Sequence, residues 1–129
     1  MKNITASILA IAILSTVPCY AAPNLLFEQG DRVRTMAKTL PVVPADWRFL
    51  VFDEVQWNRI TTDNGFKTRT AVSNLKAHIT YVREAYAIAA TDFELRQSLA
   101  HEMGHYLCGC TNEDKANSYQ AKVLRGEIQ

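Results

Sequence analysis

The run His101-Glu102-Met103-Gly104-His105 constrains this chain more than any other stretch of it. Residues at i and i+4 lie one above the other on a helix, so the segment has to be helical if His101 and His105 are to meet one partner. Built that way, the two imidazoles present nitrogens to a single cation and Glu102 sits beside them as a proton acceptor. Zinc suits such donors, because it takes nitrogen ligands at about 2.0 to 2.1 Å and, in catalytic sites, three protein ligands plus an open position. One helical turn supplies two of the three.

The flanking residues favour the helix. Thr91 or Asp92 is a good N-cap, and no proline follows Pro44 to interrupt the pattern. Leu95, Leu99, Met103 and Tyr106 or Leu107 recur at three-to-four spacing, which predicts a helix from Asp92 to Leu107 with one apolar face. His101, Glu102 and His105 fall to one side of that face. Gly104 costs about 1 kcal/mol relative to Ala inside a helix, so its use is close approach by another backbone. Gly109 supplies the C-terminal stop.

A second helix starts near Asn112, with Ala116, Tyr119 or Gln120, Val123 and Leu124 on one side. Glu113 lies in its first turn, where the helix dipole favours a carboxylate. A turn at Gly109 folds this helix back over the first, which makes Glu113 the candidate third ligand and Asp114 its rival. Asn117, one turn on, is placed to hydrogen-bond a ligating histidine and fix its ring. His78, the remaining histidine, stands in an alternating segment and reads as a strand residue at the rim of a sheet.

From Arg96 to Leu107, followed by Glu113-x-x-Ala116-Asn117 and Val123-Leu124, the sequence resembles the active-site region of gluzincin metallopeptidases, most closely the ImmA/IrrE-type minimal zincins. The resemblance covers Tyr86 to Arg125. It implies a zinc-dependent peptidase with His101 and His105 as metal ligands, Glu102 as general base, Glu113 as third ligand and Zn2+ as cofactor. The interval from His105 to Glu113 is shorter than in that family, so Asp114 stays open beside Glu113. The metzincin pattern fits less well, because Cys108 stands at its glycine position and Thr111 at its third histidine.

Lys2 precedes an apolar run from Ile4 to Val17, and Pro18-Cys19-Tyr20-Ala21 closes it with small residues, as in a secretory signal peptide cut after Ala21. The expected organisation is a signal peptide over 1–21 and one domain over 22–129, secreted or periplasmic; a retained membrane anchor is the alternative. The chain has 14 Lys and Arg against 13 Asp and Glu, and loss of Lys2 leaves 13 against 13. So neutral a mature chain argues against a nucleic-acid partner and, once the signal is removed, the reading includes no membrane. Of three cysteines, Cys108 and Cys110 remain, able to form a local disulfide, stay as free thiols, or serve a metal or redox role.

The rest reads as an α+β domain in the order α-β-β-β-α-α with a small, mostly antiparallel sheet. Asn24 to Leu40 is an amphipathic helix, Trp47 to Phe52 with its continuation to Trp57 a strand, Thr61 to Gly65 a turn and Phe66 to Val72 a second strand. Ala77 to Ala90 predicts one long strand or a hairpin directly before the motif helix. In that arrangement the preceding strand pairs with an extended peptide substrate, and a zinc-activated water attacks the scissile carbonyl while Glu102 handles the proton. Tyr106, Tyr119 and His78 are the candidate oxyanion donors. Two other function classes stand beside peptide hydrolysis: a non-catalytic zinc-binding or interaction protein on a zincin scaffold, and a CxC thiol-disulfide protein.

Overall fold

The computed structural model describes residues 22–62 and 65–128; the expected signal segment 1–21 and the Asp63-Asn64 centre of the expected turn lie outside the described residues. Among the described residues are five helices and a three-stranded sheet, an α+β arrangement. In chain order these are α1 (Ala22–Ala37), β1 (Arg48–Phe52), α2 (Glu54–Thr61), β2 (Ala71–Asn74), β3 (Ile79–Arg83), α3 (Glu84–Ala89), α4 (Asp92–Cys108) and α5 (Glu113–Leu124). None of these helices is long and apolar enough to cross a membrane.

The two C-terminal helices follow the sequence reading closely. Thr91 caps α4, its hydroxyl accepting from Glu94 N while the Glu94 carboxylate accepts from Thr91 N, which satisfies two of the helix's free donors. Gly109 ends α4 at φ 58, in the left-handed region that glycine enters without a Cβ clash. Asn112 caps α5 by accepting from Lys115 N. The helices then touch at Gly104, where a Cβ would lie 2.3 Å from the carbonyl oxygen of Ala116. Only a glycine permits that approach.

Two expected strand segments are helical instead. The strand from Trp47 stops at Phe52, because Asp53 and Gln56 form a reciprocal capping box that starts α2 and swings the buried Trp57 inward at helical spacing. The alternating run from Ala77 is a turn, then β3, then α3, whose alanines suit a helix better than a strand. Phe66 to Thr70 also lies outside β2, which begins at Ala71. Nor is the sheet mostly antiparallel. Its order is β1-β3-β2, with β3 parallel to β1 and antiparallel to β2.

β3, the strand nearest in sequence to α3 and α4, is therefore the central strand, and the free edges belong to β1 and β2. Arg83 N donates to Thr70 O, which with the register Ala71↔Val82 directs the main-chain groups of Ala71 and Ser73 away from β3. β2 itself packs beside α4. The core between sheet and helices gathers Val33 and Ala37 of α1, Phe49 and Val82 of the sheet, Leu95, Leu99 and Met103 of α4 and Val123 of α5. Arg32 closes the far side, donating to the carbonyls of Ala87 and Ala90 and to Asp92.

Candidate metal centre

His101 and His105 project from one face of α4 toward the first turn of α5, as i and i+4 positions must. The Nε2 of His101 lies 3.0 Å from Glu113 Oε2 and the Nε2 of His105 lies 3.7 Å from Glu113 Oε1. One ligand atom from each of the three residues falls within 4.8 Å of the other two. The helical turn provides the two nitrogens, the glycine contact brings α5 close enough, and its first turn delivers the carboxylate. Asp114 is exposed and stands outside this cluster, as does His78.

Each member is held from behind. His101 Nδ1 meets the Oδ1 of Asn117 at 2.9 Å, and His105 Nδ1 meets the carbonyl of Cys110 at 3.0 Å. An oxygen facing each Nδ1 favours the tautomer that leaves Nε2 unprotonated, the form in which a cation between the two Nε2 atoms and Glu113 would be bound. Arg69 Nη1 donates to Glu113 Oε1 at 2.6 Å and lays its guanidinium 5.7 Å from the centre of the Phe66 ring. Burial raises the Glu113 pKa, but the hydrogen bond and charge of Arg69 outweigh it and hold the carboxyl below its ordinary value. Cys108 and Cys110 are joined in a disulfide across the turn that presents the Cys110 carbonyl.

Glu102, between the two histidines in sequence, points differently. Its side chain is 5% exposed, and burial pushes its pKa up against the lowering effect of a hydrogen bond from Ser73 Oγ at 2.7 Å. It lines two neighbouring pockets, as does Ala71 of β2. One is walled by Phe66, Val72 and Leu75; the other is polar, with Ser98, His101 and Gln120. Arg69 borders both.

The oxyanion donors expected from sequence lie elsewhere. Tyr106 packs edge-on against Trp47 and His78, while Tyr119 sits beneath Lys122. His78 is a turn residue at φ 55 rather than a strand residue, stacked on Trp47 and bonded to Asp46. Arg69, Ser73 and Thr80 are the residues that the sequence reading missed. Ser73 and Thr80 are cross-strand partners, so only the strand register reveals them; Arg69 lies in the polar run Lys67 to Thr70, which carries no distinguishing pattern.

Comparison with protein-family models, with curated proteins and with solved structures finds no match to this chain.

Proposed function

We propose that this chain is a zinc metallopeptidase of the minimal zincin type, exported to an oxidising compartment, which hydrolyses peptide bonds with Glu102 as general base. One observation carries the reading: two imidazole Nε2 atoms and a carboxylate from the next helix converge, with both Nδ1 atoms held outward. Two nitrogens, one carboxylate oxygen and an open side toward the pockets are the donor set of a catalytic zinc site, whereas structural zinc sites close all four positions. Held by His101, His105 and Glu113, zinc supplies Lewis acidity, bringing the pKa of a water toward about 7 and polarising a carbonyl.

The residues of the chain supply the rest. Glu102 is adjacent to a ligand without belonging to the converging set, so its carboxylate is free to take a proton from the attacking water and deliver it to the leaving amine. The open edge of β2 offers the main-chain groups of Ala71 and Ser73 to an extended peptide running past Glu102. This role passes to β2 because β3 is paired on both sides. Arg69 adds positive charge to the wall of both pockets. The Cys108–Cys110 disulfide supports export, since such bonds persist outside reducing compartments.

Glu102 is a buried carboxylate beside the ligand set with one hydrogen bond, a costly arrangement that metal binding by the three converging residues does not require. That favours catalysis over the binding-protein alternative. The test is a diverse peptide-library digest with zinc-loaded wild type and Glu102→Gln. Cleavage by the wild type alone supports the proposal; no cleavage by either sinks it.

A further inference from the structure

Behind Glu102 a chain of hydrogen bonds, part-buried at Ser73 and buried beyond it, leads into the sheet. Trp47 Nε1 is 2.9 Å from Thr80 Oγ1, Thr80 Oγ1 is 2.8 Å from Ser73 Oγ, and Ser73 Oγ is 2.7 Å from Glu102 Oε2. Three elements and the residue before a fourth contribute: Thr80 and Ser73 face one another across the β3–β2 register, Glu102 comes from α4, and Trp47 precedes β1. Trp47 and Glu102 are buried and Thr80 has no exposure at all.

The direction of this chain follows from donor chemistry. An indole N–H can only donate, and an ionised carboxylate can only accept. Ser73 has one hydroxyl hydrogen and gives it to Glu102, so toward Thr80 it must accept. Thr80 therefore gives its hydrogen to Ser73 and accepts from Trp47. Every bond points the same way, an arrangement in which each bond polarises the next. Reversal is blocked at the far end, because a reversed chain strands the Thr80 hydroxyl hydrogen in the interior, where it has no other acceptor among the described residues. An unmet buried donor is costly.

We infer that Ser73 is a positioning residue, the last link of a one-way hydrogen-bond chain that fixes Glu102 Oε2 as an acceptor and reserves Oε1 for the water and the leaving amine. Oε1 carries no protein hydrogen bond among the described residues, and Glu102 lines both pockets. The inference rests on the reading of Glu102 as the base. It assigns the two oxygens unlike roles: one holds the carboxylate in place, the other moves protons. Sheet register thereby sets the direction in which a helix residue does its chemistry.

The chain has two tryptophans, so 15N-labelled protein gives two indole N–H signals, with Trp57, directed at the carbonyl of Lys67, as an internal control. Glu102→Gln weakens the final acceptor and should shift the Trp47 signal while leaving that of Trp57 in place. In a Ser73→Ala background the same substitution should leave Trp47 unmoved, and Ser73→Thr should restore the response. A Trp47 signal indifferent to Glu102→Gln, or equally responsive without a hydroxyl at position 73, overturns the inference. In peptide hydrolysis, Ser73→Ala should lower kcat roughly ten- to a hundredfold, the worth of a hydrogen bond to a charged group. KM and zinc content should hold, with kcat rescued by Ser73→Thr. An unchanged kcat also overturns it. If the wild type hydrolyses nothing, the peptidase reading fails by itself, and the indole signals still decide whether the chain exists.

Discussion

The two sides of the motif helix are held by different kinds of sequence. On the side of the proposed ligands, here the ligand side, His101, His105 and Glu113 come from thirteen consecutive residues and are braced by Asn117, the Cys110 carbonyl and Arg69; the side of Glu102, the proposed base, is the base side. On the base side, Glu102 is braced by Ser73, Thr80 and Trp47, which stand 29, 22 and 55 residues away in the chain. The ligand side is partly open, with side-chain exposures of 19% for His101 and 43% for Glu113. On the base side Glu102, Thr80 and Trp47 are buried and Ser73 is partly so. A metal has to be reached and an open position kept, whereas a general base works best when its geometry and surroundings are fixed.

The largest effect should come from separating the two sides at Glu102. Glu102→Gln keeps the shape and the Ser73 partner, so peptide hydrolysis should fall by about 10² to 10⁴ while zinc content stays at the wild-type level. Loss of zinc together with activity would merge the two sides and break the comparison. Next, Asn117→Ala and Arg69→Met should weaken zinc binding roughly ten- to a hundredfold each, as removal of outer partners typically does. Competition with a chelator of known affinity measures this. If either leaves affinity untouched, the brace it removes has no hold on its ligand.

Gly104→Ala tests how the ligand side is assembled. The new Cβ meets the Ala116 backbone at 2.3 Å, so α5 must move and carry Glu113 with it. Overpacking of this kind costs about 1 to 3 kcal/mol, measurable by denaturant unfolding, and zinc affinity should drop in the same variant. A fully stable Gly104→Ala protein would contradict the close approach. The smallest expected effect is at Asp114, where Asp114→Asn should leave zinc affinity unchanged while Glu113→Gln lowers it. The reverse outcome would exchange the two acids.

This difference between the sides also decides what the sequence could reveal. Local geometry made the ligand side legible: i,i+4 spacing placed the histidines, Gly104 and Gly109 forecast the contact and the turn, and Asn112 started the helix that carries Glu113 and Asn117. The disulfide was open among three alternatives. The base side depended on strand register, which a single sequence does not state, so Ser73 and Thr80 were invisible. Errors in the sheet have a similar cause. Alternating residues after Ala77 and the apolar run to Trp57 matched a period of two over too few residues to exclude a helix, although Asp53 and Gln56 spell the capping box that begins α2. A parallel pairing of β1 with β3 leaves no local signature at all.

The central claim, that His101, His105 and Glu113 form one zinc site, is tested most directly by the zinc content of the purified, folded protein. The expected result is one zinc per chain, lost in the His101→Ala, His105→Ala double variant while circular dichroism shows the helices retained. Zinc well below one per chain in metal-replete protein, or a content unchanged by removing both histidines, would contradict it.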